Sequence, residues 1–139
     1  MSRLIVAGLL RRHGKLLICQ RRHDAAFPHK WEFPGGKVEP GEEPRAALRR
    51  ELTEELAVSA EIGGEIWRTV HQYPGHASIE IIFFDVRGFS GEVQNLAFQQ
   101  IRWAAPAELP AHDFLEADRP LVLTLSRQPA LNPPAEPSG

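Results

Sequence analysis

A chain of 139 residues with 42% hydrophobic and 24% charged content suits one soluble globular domain, able to bury about two thirds of its unfolded surface. The net charge of -2 gives no general attraction to nucleic-acid polymers or anionic membranes, so a phosphate-rich ligand would need local cations or metal. The single cysteine, Cys19, rules out an internal disulfide, and the N-terminal apolar run, too short for a membrane span and without a small-residue cleavage site, is expected to be neither a span nor a leader; the expected compartment is the cytoplasm.

Leu4 to Leu10 and Lys15 to Gln20 are apolar runs around Arg11-Arg12-His13-Gly14, which predicts two strands joined by a hairpin or tight loop. Cys19 falls in the second run and is expected to be a small core residue, while Arg22 and His23 are expected to face solvent. A loop containing Pro28 leads into Trp31-Glu32-Phe33-Pro34-Gly35-Gly36, where paired glycines after a proline let the backbone come close to a ligand. Pro44 is tolerated in a first helical turn, and Arg45 to Leu56 holds no further proline or glycine. One helix is predicted from about Pro44 to Leu56.

After that helix, Val58 to Glu61 and Glu65 to Gln72 are predicted as short strands separated by Gly63-Gly64. Tyr73-Pro74-Gly75 is expected to turn, Ser78 to Val86 to form a central strand, Gly88 to Gly91 to turn again, and Gln99 to Trp103 to form a last strand. Leu115 to Arg127 carries a second helical pattern with Pro120 in its early turn. From Gln128 the chain has four prolines and no aromatic residue, so residues 128–139 are expected to be a disordered Pro-rich tail after a domain of residues 1–127. This order predicts an α+β fold, a mixed β-sheet flanked by helices.

On the first helix, at about 100° per residue, Glu51, Glu54 and Glu55 fall within roughly a 100° arc beside an i, i+4 stripe of Leu48, Leu52 and Leu56. The stripe is expected to pack inward with the carboxylates along its border. Crowded carboxylates repel one another, and a hard cation such as Mg2+ or Mn2+ would relieve them. A solvated acidic face balanced by Arg45, Arg49 and Arg50 is the bland alternative for an isolated E-x-x-E-E.

The wider spacing decides between them. Gly36, five spacers, Glu42, seven spacers and Arg50-Glu51-Leu52-Thr53-Glu54-Glu55-Leu56-Ala57-Val58 resemble the Nudix box, G-x5-E-x7-R-E-U-x-E-E-x-G-U, and average composition would match its eight shared positions in roughly one such chain per million. Trp31 to Lys37 and Ala117-Asp118-Arg119-Pro120-Leu121 are similar to the MutT-like branch of that hydrolase family.

The resemblance implies an α/β/α sandwich and Mg2+-dependent hydrolysis, with Mn2+ able to substitute, of nucleoside triphosphates to the monophosphate and pyrophosphate. It implies oxidised purines such as 8-oxo-dGTP, or CTP and 5-methyl-dCTP, as substrates, and leaves monomer or homodimer open. Glu51, Glu54, Glu55 and the Gly35 carbonyl would hold metal, with Glu51 the best candidate to orient or deprotonate water and Arg50 pairing with the box glutamates. Arg21 and Lys37 would lie near the phosphates. The base would lie over Phe33 and Tyr73 with Asp118 reading its edge; core packing competes for Phe33, and a helix N-terminal role competes for Asp118.

Two positions depart from the pattern. Ala57 replaces the box glycine, where a left-handed turn would cost about 1 kcal/mol, and Ala97 stands where relatives often supply a further metal-binding glutamate, leaving Glu92 or a glutamine as possible substitutes. No His or Cys spacing suits zinc and no serine sits on a nucleophile elbow. The alternatives are a non-catalytic nucleotide-binding module or an enzyme acting on another nucleoside diphosphate derivative; retention of every box carboxylate favours catalysis.

Overall fold

The computed structural model describes residues 3–128. Beyond Gln128, the tail expected to be disordered lies outside the described residues. Strand β1 (Arg3–Leu9) is followed by β2 (Arg11–Arg12) and β3 (Lys15–Gln20). The two residues joining β2 to β3, His13 and Gly14, both have positive φ, 51° and 77°, as a tight two-residue hairpin turn requires. Short strands β4 (Trp31–Glu32) and β5 (Gly35–Lys37) precede helix α1 (Pro44–Leu56), and the predicted helix limits hold. Glu43 caps it by accepting from the Ala46 N–H at 3.2 Å, with Pro44 in the first turn.

The chain continues through β6 (Ser59–His71), β7 (Ile79–Ser90) and β8 (Gln100–Ala104). Two segments depart from the expected layout. The segments around Gly63-Gly64 are one strand, β6, irregular at Glu61, Ile62 and Glu65; β7 continues beside it, so the glycines serve as bulges and not as a turn. Likewise β7 runs through Gly88, and the chain turns at Gly91, where φ is 100°. A 3-10 segment at Pro106–Ala111, unforeseen in the sequence, leads to a second at Glu116–Asp118 and then to α2 (Arg119–Ser126). The second helical pattern is thus split in two.

One sheet has the order β5-β1-β7-β6, and the other gathers β2, β4 and β8 around β3. In the first, β1 and β7 are parallel, with Ile5 opposite Ile81, whereas β5 and β6 pair antiparallel at its edges. Alternation along β1 and β7 sends Val6, Ile82 and Phe84 toward α1, where they meet the fully buried Leu48, Leu52 and Leu56. Each of those leucines contributes about 2 kcal/mol by burial. Leu9 and Phe83 point the other way, into a core closed by Leu109, Phe114, Leu121 and Leu125. The result is the α/β/α layering anticipated above. Among the described residues, no helix is long and apolar enough to cross a membrane.

Candidate active site

Helix α1 lies across the β1–β5 edge so that its carboxylates meet the glycines of β5. At Gly36 an added Cβ would stand 2.4 Å from the Glu51 carboxyl carbon and 2.5 and 2.6 Å from its oxygens. Only glycine allows that approach. The Gly35 N–H donates to Glu55 Oε1 at 3.1 Å, and Glu51 and Glu55 lie within hydrogen-bonding reach of one another. Burial, then the charges of Glu51 and Glu32, push the Glu55 carboxyl up to about 9. Glu51 is raised by burial and opposed by the Arg50 guanidinium.

Arg50 holds this arrangement from the side. It grips Glu42 through Nε and Nη2, both at 2.9 Å, reaches Glu51 at 3.1 Å and Glu54 at 3.4 Å, and donates to the Lys37 carbonyl at 3.1 Å. Its hydrogen bonds hold the Glu42 carboxyl down at about 2. Two of the three expected carboxylates, Glu51 and Glu55, converge. Glu54 has a 58% exposed side chain on the border, and among the described residues no three His, Cys, Asp or Glu side chains stand together in ligating position. The donor set still fits a divalent cation: half-buried, mutually repelling oxygens beside a glycine rim are relieved by a hard dication that takes the rest of its shell from water and phosphate.

The carboxylates open into a cavity of about 790 Å³ whose walls also include Lys37, Phe33, Tyr73 and Asp118. Lys37 is exposed at the wall, as a phosphate contact requires. Arg21 lines the cavity too, but its Nη1 pairs with Glu32 at 3.1 Å and its Nε donates to the Ala26 carbonyl at 2.7 Å. Glu32, not expected here from the sequence, also lines the cavity, its carboxyl raised by burial and opposed by Arg21; its one signal in the sequence is a carboxylate just ahead of the paired glycines. Phe33 is only 3% exposed, packed against Phe83 and Phe114 with centroids at 6.2 and 5.4 Å. Core packing therefore takes most of that ring.

Asp118 is 4% exposed, accepts from the Phe33 N–H, and is raised well above the ordinary aspartate range by burial and then by Glu32. It makes no cap bond to α2, which removes the competing helix-cap role. Beside it, the Tyr73 hydroxyl accepts from the Ala117 N–H at 2.9 Å. Ala97 is exposed on a loop ordered by Asn95, and neither it nor Glu92 is among the residues lining the cavity. Gln20 and Gln100 bond to each other at 2.8 Å outside it. Ala57 does adopt the left-handed conformation, φ 62° and ψ 34°, with its N–H on the Thr53 carbonyl, so the turn keeps its shape without the glycine.

A family model described as NUDIX domain matches residues 1–125. The chain is 36% identical over 118 residues to the CTP pyrophosphohydrolase of Escherichia coli (strain K12), covering 85% of this chain and 87% of the relative. It is 32% identical over 124 residues to the 8-oxo-dGTP diphosphatase of the same strain, covering 88% and 95%. The solution structure of the E. coli ORF135 protein superposes with a TM-score of 0.82 at 34% identity, covering 96% of this chain and 94% of that one.

Proposed function

We infer, from the premise that the chain belongs to the Nudix hydrolase family, that it hydrolyses nucleoside triphosphates to the nucleoside monophosphate and pyrophosphate. The observation that carries this reading is one cavity joining a carboxylate end, Glu51 and Glu55 against Gly35 and Gly36, to an end suited to a base, Tyr73 and Asp118. Relatives named for CTP and for 8-oxo-dGTP support cytidine-type or oxidised purine triphosphates as the substrate class.

Nudix enzymes in general use divalent cations. A bound Mg2+, or Mn2+ in its place, would shield polyphosphate charge, lower the pKa of a coordinated water and stabilise the leaving pyrophosphate. Glu51, Glu55 and the Gly35 carbonyl would hold it, with Glu54 contributing from the exposed border. Glu51, oriented by Arg50 and confined by Gly36, accepts the proton of the attacking water. Lys37, and the part of Arg21 not engaged by Glu32 and Ala26, supply positive charge to the phosphates.

At the other end, the Phe33 N–H fixes the Asp118 carboxyl, which reads the base edge. A carboxyl that holds its proton donates to a base carbonyl, whereas an ionised one accepts from a base amine and is penalised by a carbonyl at about 1 to 3 kcal/mol. The preference for amine-bearing bases is therefore expected to strengthen as pH rises through the raised pKa of Asp118. The test is pyrophosphate release from CTP, 5-methyl-dCTP, 8-oxo-dGTP, UTP and dTTP by wild type, Glu55→Gln and Asp118→Ala. Glu55→Gln is expected to lose on the order of a hundredfold in rate, and Asp118→Ala to flatten a preference for the cytidine and oxidised purine substrates. Full activity in excess chelator, or an unchanged ranking in Asp118→Ala, overturns the corresponding half.

A further inference from the structure

Phe33, one of the two aromatic residues expected beneath the base, is mostly consumed by the core. A different ring occupies the cavity wall. Phe27, in the loop between β3 and β4, is half-buried, lines the cavity and packs on the core from outside. Its centroid is 4.6 Å from Tyr73 and 5.3 Å from His76, at interplanar angles of 45° and 44°. The β3–β4 and β6–β7 loops thus meet through aromatic faces at the end of the cavity where Tyr73 bonds to Ala117, the neighbour of Asp118.

The backbone beneath Phe27 is built to present it. Its φ is 51°, the left-handed region that a bulky side chain avoids unless its surroundings impose it. The surroundings do so: Arg21 donates through Nε to the Ala26 carbonyl at 2.7 Å, and its own carbonyl accepts from the His29 N–H at 3.0 Å, bracketing Phe27 on both sides. The same guanidinium pairs with Glu32. One residue therefore couples the polar wall of the cavity to the position of the aromatic ring. Ile5, Ile79 and Ile81, also in the lining, add apolar surface with no hydrogen-bonding demand.

We propose that Phe27 is the face on which the nucleobase stacks, and that its contact with Tyr73 and His76 is a clasp that an entering base opens. A planar heteroaromatic ring replaces the tilted ring contacts with a parallel one, so base-independent grip comes from Phe27 while Asp118 discriminates among bases. This rests on the nucleotide reading above. It assigns to an unforeseen residue the part that Phe33 was expected to play.

The experiment compares wild type, Phe27→Leu and Phe27→Trp with CTP and with 2-deoxyribose 5-triphosphate, which carries no base, and measures CMP binding by calorimetry. Phe27→Leu is expected to raise KM for CTP and Kd for CMP roughly tenfold, to shift kcat/KM for the baseless substrate less than about twofold, and Phe27→Trp is expected to bind CMP at least as tightly as wild type. An equal loss on both substrates, unchanged CMP affinity in Phe27→Leu, or a Phe27→Trp variant as impaired as Phe27→Leu would overturn it. Absence of pyrophosphate release by wild type, with CMP binding still dependent on Phe27, would instead sink the catalytic reading alone.

Discussion

Replacing Gly36 by alanine tests whether the close seat of Glu51 matters to the chemistry. The added methyl would lie 2.4 Å from the carboxyl carbon, whereas ordinary contact begins at 3.4 Å, so the carboxyl must retreat by about 1 Å, a misplacement that can cost roughly a hundredfold in rate. Retreat is constrained. The Glu51 side chain is only 15% exposed and Arg50 holds its Oε2 at 3.1 Å, while β5 is fixed by its register with β1. Gly36→Ala is therefore expected to lower kcat about a hundredfold in a pyrophosphate-release assay while the protein still melts cooperatively. Gly64→Ala, where an added methyl meets nothing within 4 Å, is the control and should keep its rate. A Gly36→Ala enzyme within threefold of wild-type kcat would refute the claim that the position of Glu51 sets the rate.

Ala57→Gly should stabilise the protein by about 0.5 to 1 kcal/mol, the relief of a left-handed alanine less the added freedom of glycine in the unfolded chain. That corresponds to a Tm rise of roughly 2 to 4 °C; a fall in Tm would show that the Ala57 methyl makes contacts worth more than its strain. Asp118→Asn should change how stability depends on pH. With the Asp118 carboxyl raised by burial, the folded state keeps a proton that the unfolded chain releases, so this residue's contribution is full below the ordinary aspartate range and lost as pH rises through the raised pKa. Asparagine still accepts from the Phe33 N–H and has no charge to bury. The Tm of the variant minus that of wild type should grow from pH 4 to pH 8, shaped in part by the nearby Glu32, and a constant difference would count against the buried carboxyl.

The sequence told most where one signal dominates. Pro44, the leucine stripe and the absence of helix breakers located α1 at both ends, because local propensity and burial agree there. Glycine was the weaker guide: Gly63, Gly64 and Gly88 read as turn residues, but pairing with a long neighbouring strand absorbs them as bulges or as strand interior. Arg21 and Glu32 each look like a surface charge in isolation, and only the fold brings them within 3.1 Å. Phe27 escaped notice for the same reason. Its partners Tyr73 and His76 lie on the far side of α1 and β6 in the chain, and no short spacing encodes their meeting.

The pairing of β1 has a kinetic consequence. Its antiparallel partner β5 and its cover α1 are all complete by Leu56, so the rim that carries Gly36, Glu51 and Glu55 closes through short chain separations. The parallel partner β7 joins Ile5 to Ile81, and such long loops are closed late and slowly. The carboxylate end of the cavity can therefore organise on a refolding timescale shorter than the end bounded by Tyr73 and Asp118, and the two halves of the substrate would meet walls that mature at different times.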